Sequence, residues 1–471
     1  MEKIGVLVVS YGAREVAMVD ALLQSRKYQV ELYIADKQRN PFNAEKAAKH
    51  IVIPNLDVEE ICKFAESNKD KINFVLVGSE KPIIEGIRDL VEKRTGIPVI
   101  CPKQKYAIEA SKIEQRLLFQ EIAPEANPRF KIFNPADYKG KAEVKSAVYL
   151  WLDDLNDQAV VKPDKPALGK GVGVWGDHFA TREELFEHFI SNFQYGSVII
   201  EEKIDGEESS FMAFCDGKHF IPLPDTRDYK RAFDDDRGPN TGGMGSYKGV
   251  GDTLPFLTAS EREQEIALAN KIFKGWKAAI KDDSALRGVP LYLAFMHTGG
   301  GIKVLENNSR PGDPEIINLL PLIKDDFVDV CFKIIEGNLK CIGLENAATV
   351  LTYKVPPDYG DYAEVFPSQV DKSTINMPVE LSKAYMLTEK FGDRIRIYPG
   401  SMETRNGQTY ALKSRAVGVL GIGKSIEEAR QISLEGSKAI TGGALWSRVD
   451  IASKQHIAKS VSHMENLRAK A

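Results

Sequence analysis

Residues 160–176 read VVKPDKPALGKGVGVWG, and the course of the chain after the glycines decides the fold. A β-branched pair carries Lys162 to a strand end, and a loop with Gly169, Lys170, Gly171 and Gly173 comes next. The chain then re-enters an extended apolar stretch instead of a helix. A helix N-terminus is therefore not what this loop offers to an anion. A two-stranded flap can instead fold its backbone N–H groups and Lys170 over phosphates. The same residues also suit a flexible hairpin with a solvated lysine.

Upstream, IGVLVVS (4–10), QVELYIA (29–35), KINFVLVGS (71–79) and IPVICP (97–102) are short apolar runs separated by helical stretches such as YGAREVAMVDALLQS (11–25). That alternation predicts a doubly wound parallel α/β domain over residues 1–104. Ligands of such sheets sit at the carboxyl ends of the strands, which directs attention to SYGAR (10–14) and VGSEKP (77–82). Residues 105–335 mix a helix over 105–122, several strands and a long amphipathic helix from 260 to 280, with a flap subdomain over about 125–198. A more β-rich segment spans 336–448, and 449–471 predicts a terminal helix. The fold class is thus α/β and α+β multidomain.

The bulk numbers narrow the function. In 471 residues the net charge is −4, without the basic excess of a nucleic-acid binder. The five cysteines are scattered, with no C-x-x-C pair, which fits reduced thiols better than disulfides or zinc. No apolar run approaches the roughly 20 residues of a membrane span, and the first residues lack signal-peptide character. The expectation is a cytoplasmic protein, monomer or homodimer.

Two further stretches carry chemistry. VIIEEKIDGEESSF (198–211) ends an apolar strand in Glu201 and Glu202, with Glu208 in the polar turn beyond. Such acids often sit in solvent. The sharper reading is an adenosine seat, with backbone around Glu202 and Ile204 at the adenine edge and Glu208 at the ribose hydroxyls. KVLENNSRPGDPE (303–315) sets Glu306 and Asn308 two apart on an extended segment, hence on one face. Two oxygen ligands suit Mg²⁺, which keeps waters and shares substrate phosphates. Arg310 shares that face, suited to steadying a transferring phosphoryl group. By contrast GVLGIGKS (418–425) satisfies the P-loop pattern in full, yet only 46 residues lie beyond it, too few for the rest of such a domain. Ser425 reads better as a helix N-cap, with Glu428 completing a capping box.

With RGPNTGGMGSY (237–247), DYKR (228–231) ahead of it and ENNSRPGDPE after it, the chain resembles the phosphoribosylamine–glycine ligase family of the ATP-grasp superfamily along nearly its whole length. The resemblance implies a central ATP-grasp domain with a β flap and a C-terminal β-rich domain. The implied reaction uses ATP and Mg²⁺, or Mn²⁺, to join glycine to 5-phosphoribosylamine through an acyl phosphate. By position, Lys112, Lys162, Glu201, Glu202, Ile204 and Glu208 would bind ATP, with Lys170 on the flap tip and Arg310 as the transition-state stabiliser. Glu306 and Asn308 would hold the metal. Gly12, Arg14, Glu15, Glu80, Asp228, Lys230, Arg231, Asn240, Thr241, Gly242, Gly243, Gly312 and Asp313 would surround the acceptor and glycine. The glycines would bring backbone N–H groups to an anion. The first turn departs from the family's G-S-G-G-R-E-H-A at Ser10, Tyr11, Ala13 and Val16, and Tyr229 stands where the family usually has histidine. An ATP-grasp ligase with another amine acceptor, and a nucleotide-binding regulator on the same scaffold, are the alternatives. Glu306, Asn308 and Arg310 together argue against the regulator, since binding alone needs no such arginine.

Overall fold

β1 (Glu2–Ser10), β2 (Tyr28–Asp36), β3 (Lys49–Val52), β4 (Phe74–Val77) and β5 (Val99–Ile100) pair in parallel in the order 3-2-1-4-5. The last seven residues of β1 are all buried, as expected of a strand covered on both faces. The strand order reverses between β1 and β4, so the turns after them flank the crevice where such sheets bind ligands. The computed structural model describes residues 1–165 and 171–471, the side chains of 289 and 290 apart.

The region expected as one helix over 105–122 is broken. Two 3₁₀ turns, Gln104–Tyr106 and Ile108–Ala110, precede the helix Lys112–Ile122, which starts on Ser111. Ser111 is extended, its hydroxyl accepting from Glu114 N and donating to Asp164, so a cap interrupts the apolar periodicity.

An antiparallel sheet comes next, built from β6 (Phe130–Phe133), β7 (Ala159–Pro163), β8 (Gly173–Val174) and β9 (Val198–Glu202) in the order 6-9-7-8. The helices Lys141–Asp154 and Arg182–Phe193 pack on it through Val144, Val148, Phe186 and Phe189. The chain does return to a strand after the glycines. Lys170, which falls between β7 and β8 in the sequence, lies outside the described residues.

A second antiparallel sheet contains β10 (Glu207–Asp216), β11 (Phe220–Pro222), β16 (Arg287–Thr298) and β17 (Gly301–Asn308), ordered 11-10-16-17. The register of β16 against β17 shifts between Ala294 and Phe295, opposite Glu306 and Val304, so Leu305 is the extra residue of a bulge beside Glu306.

The third sheet draws strands from both sides of residue 335. It runs β12 (Arg227–Asp228), β15 (Gly245–Lys248), β18 (Ala348–Lys354), β22 (Val417–Gly423), β19 (Ile395–Pro399), so two of its strands come from the central segment. β13 (Arg231–Phe233) with β14 (Arg237–Asn240), and β20 (Met402–Arg405) with β21 (Gln408–Ala411), form separate two-stranded hairpins. Glycines of the refused P-loop motif lie in β22, paired on both sides, and a Cβ on Gly421 would meet Ala429 O at 2.0 Å. They let the helix Ile426–Ala439 approach the sheet closely. Ser425 does cap that helix. The expected box is half formed, because the Glu428 carboxylate takes Lys424 N instead of Ser425 N.

The terminal helix, Lys454–Lys470, docks on the central domain through His463 to Glu207 and Arg468 to Glu261. Among the described residues no helix is long and apolar enough to cross a membrane. All five cysteines are free.

Candidate active site

Glu306 and Asn308 lie on one face of β17, and Asn308 Nδ2 donates to Glu306 Oε1 at 3.3 Å. Burial pushes the Glu306 carboxyl up, but Lys230, Arg310, Lys112 and Lys162 outweigh it and hold the group below the usual carboxylate range. An ionised carboxylate under the influence of four cations is a place for a polyphosphate and its counter-ion. Among the described residues no group of three or more His, Cys, Asp or Glu could hold a metal. A pair of oxygens, Glu306 and Asn308, therefore fits Mg²⁺ completed by water and phosphate oxygens, and does not fit an all-protein cage.

The acids at the end of β9 are engaged within the protein. Glu201 is 2% exposed. Its Oε1 accepts from Arg116 Nε at 2.6 Å, and its Oε2 accepts from Arg116 NH2 at 2.9 Å and Lys162 Nζ at 2.7 Å. Burial alone would raise its pKa, but Arg116 and Lys162 bring it down to about 2. Glu201 is thus the anchor that orients Lys162, and its carboxylate is not open to ATP. Arg116 also donates to the Val304 and Leu305 carbonyls, tying the helix Lys112–Ile122 to β17. Glu202 pairs with Arg129 at 3.2 Å, leaving the half-buried Ile204 in the hinge between β9 and β10. Glu208 is ion-paired to Lys230.

Arg310 is braced by two acids, Glu109 at 3.0 Å and Glu80 at 3.6 Å. Ser309 fixes Glu109 reciprocally: Ser309 N donates to Glu109 Oε2 at 3.0 Å, and Glu109 N donates to Ser309 Oγ at 3.3 Å. Burial pushes the Glu109 carboxyl up to about 7, against the pull of Arg310. Its position depends on the broken helix at 108–110, so periodicity could not expose it.

The glycine-rich loop is tighter than expected. Gly242 N–H donates to the Tyr359 hydroxyl at 2.9 Å and Gly243 N–H to the Thr241 hydroxyl at 3.1 Å, so neither waits for an anion. Gly243 has φ +107, and a Cβ there would meet Asp228 Oδ1 at 2.6 Å. The glycine brings backbone against Asp228, whose Oδ1 is buried without a hydrogen-bond partner among the described residues. Burial pushes Asp228 up, Glu315 adds to it, and Lys230 opposes. Thr241 N and its hydroxyl both bond the Lys230 carbonyl, while Arg231 pairs with Asn240 across the β13–β14 hairpin.

Arg415, in the connection from β21 to β22, closes this side. It meets Asp313 Oδ2 at 3.0 Å, the Asp313 carbonyl at 2.7 Å and the Gly242 carbonyl at 2.5 Å, and the Tyr353 hydroxyl donates to Asp313 Oδ1 at 2.7 Å. Gly312 is needed for space, because a Cβ would meet Glu315 Oε2 at 2.6 Å. At the first turn, Gly12 N–H donates to Glu15 Oε2 at 2.9 Å, and Arg14 pairs with Glu15 and donates to the Pro311 carbonyl. Arg14 and Glu15 are buried. They bind the turn to the β17 loop from behind.

The phosphoribosylglycinamide synthetase N domain matches residues 4–109, and the ATP-grasp (A) domain of the same synthetase matches residues 129–316. A phosphoribosylamine–glycine ligase of Methanocella arvoryzae is 35% identical over 98% of this chain and 99% of its own. The chain belongs to the phosphoribosylamine–glycine ligase family. A ligase of that name from Thermotoga maritima shares the fold, with a TM-score of 0.72 at 23% identity, covering 95% of this chain and 100% of that one. So does a biotin carboxylase domain of Hydrogenobacter thermophilus 2-oxoglutarate carboxylase, in complex with MgADP, ADP and bicarbonate. Its TM-score is 0.65 at 15% identity, covering 99% of this chain and 95% of that one.

The ligase-family domains end on Glu109 and just past Glu315, so they enclose most of the expected site. Arg116 falls between the two matches, and Tyr353, Tyr359 and Arg415 fall beyond the second. The sequence signal that could have revealed Arg116 is its place three residues before Phe119, on the apolar face of an amphipathic helix.

Proposed function

We propose that this protein ligates glycine to 5-phosphoribosylamine with consumption of ATP, through a glycyl phosphate, yielding glycinamide ribonucleotide, ADP and phosphate in purine synthesis. Membership of the ligase family over 98% of the chain supports the overall reaction. One observation carries the route: Asn308 hydrogen-bonded to Glu306, whose carboxyl Lys230, Arg310, Lys112 and Lys162 hold below the usual range.

In the first step a glycine carboxylate oxygen attacks the γ-phosphorus and the bond to the β–γ bridging oxygen breaks, releasing ADP. In the second, the amine lone pair attacks the acyl carbon, the carbon–oxygen bond to phosphate breaks, and the nitrogen gives up one proton, which leaves with the phosphate. Lys162, held by Glu201, and Lys112 neutralise the phosphates, and the hinge at Glu202–Ile204 and Glu208 receive the nucleoside. Arg310, braced between Glu109 and Glu80, presents a fixed cation to the charge that develops on the transferring group. Glu306 and Asn308 would hold Mg²⁺ or Mn²⁺, which supplies charge neutralisation on the phosphate oxygens. Lys170 on the flap would close over them and help exclude water from the acyl phosphate. Asp228, Lys230, Asp313 and Arg415 would orient an acceptor that carries both amine and phosphate.

The test is ADP release with ATP, Mg²⁺, each amino acid in turn, and freshly made phosphoribosylamine present or absent. Release should require glycine and phosphoribosylamine together. Release that responds to a different amino acid, or ignores phosphoribosylamine, assigns the machinery to another acceptor.

A further inference from the structure

β1 and β2 run side by side, and the residues just past their ends, Tyr11 and Lys37, meet. Their backbone is fixed. Lys37 N–H donates to the Ser10 carbonyl at 3.1 Å, while Gln38 Nε2 donates to the Tyr11 carbonyl at 3.0 Å and the Gly400 carbonyl at 3.3 Å. From this base the Lys37 ammonium stands 4.3 Å from the centre of the Tyr11 ring. Among the described residues that ring is its close partner, with Glu80 and Lys81 acting from farther off. The same turn lies against Gly400, where a Cβ would meet Ala13 N at 3.1 Å and the Arg415 carbonyl at 2.8 Å, so the pair adjoins the Arg415 side of the candidate site.

The turn beside them is poorly suited to a phosphate by itself. α1 (Ala13–Leu23) starts at Gly12, but the Gly12 N–H is taken by Glu15, whose carboxylate occupies the place an anion would seek at a helix start. An anion at this end of the sheet needs a side-chain cation. An aromatic face holds an ammonium in place without the competing negative charge of a carboxylate, so its donors stay available to a ligand. Partial burial lowers the pKa of Lys37, as expected for a lysine whose counter-charge is not a neighbouring side chain.

We propose that Lys37, carried on the ring of Tyr11, anchors the phosphate monoester of the sugar-phosphate acceptor. The inference rests on the proposed acceptor and adds which residues seat its phosphate. The full-length protein is titrated calorimetrically with glycinamide ribonucleotide and with its dephosphorylated riboside. Lys37→Ala should weaken the ribonucleotide about 10- to 100-fold, as for loss of a charge-assisted hydrogen bond, and leave the riboside unchanged. Lys37→Arg and Tyr11→Phe should stay within about 3-fold of the parent, because cation and ring are kept, whereas Tyr11→Ala should track Lys37→Ala. A Lys37→Ala protein that binds the ribonucleotide normally, or loses both ligands equally, overturns the anchor while leaving the ligase reading intact. A parent protein that neither binds nor forms the ribonucleotide overturns both.

Discussion

Glu201→Gln tests whether that carboxylate is an internal anchor. The side chain is buried and satisfies Arg116 and Lys162 through three hydrogen bonds of 2.6–2.9 Å. The substitution preserves shape but leaves two buried cations without a counter-charge, which typically costs about 3–5 kcal/mol. Titration gives a second figure. The folded carboxyl falls from an ordinary 4.5 to about 2, and about 1.4 kcal/mol per unit makes roughly 3 kcal/mol at neutral pH. The two figures agree. Because the folded pKa is depressed, the stabilisation is complete above the unfolded value and fades as pH falls toward the folded one. The gap between parent and variant should therefore be about 3 kcal/mol at pH 7 and shrink by about 1 kcal/mol by pH 4. Urea unfolding at both pH values reads it through the shift in midpoint. ATP affinity should fall as well, through misplacement of Lys162. A variant within about 0.5 kcal/mol of the parent, or a gap that ignores pH, would refute the anchor.

The remaining expectations concern the site around β17. Arg310→Ala should lower kcat by about 10²–10³ while changing ATP affinity only a few-fold; equal losses in both would assign Arg310 to binding alone. Because burial pushes Glu109 up to about 7 beside Arg310, the kcat profile should bend near pH 7, and Glu109→Gln should remove that bend. Lys424→Ala should leave nucleotide affinity untouched, since its glycines belong to a paired strand; a lost ATP signal would restore the P-loop.

Much of the fold was legible because its signals are local. Apolar runs alternating with helical stretches specify the parallel sheet, and the two-residue period of an extended segment sets Glu306 and Asn308 on one face whatever lies around them. Tertiary structure alone decided which charges meet. Arg116 reaches Glu201 across 85 residues and Arg415 reaches Gly242 across 173, and no local pattern encodes such a pairing. The same holds for Glu201 itself: a strand-end acid looks alike in sequence whether it faces a ligand or an arginine. Which one it faces depends on the helix packed against it, so its role came from long-range topology and not from its own neighbours.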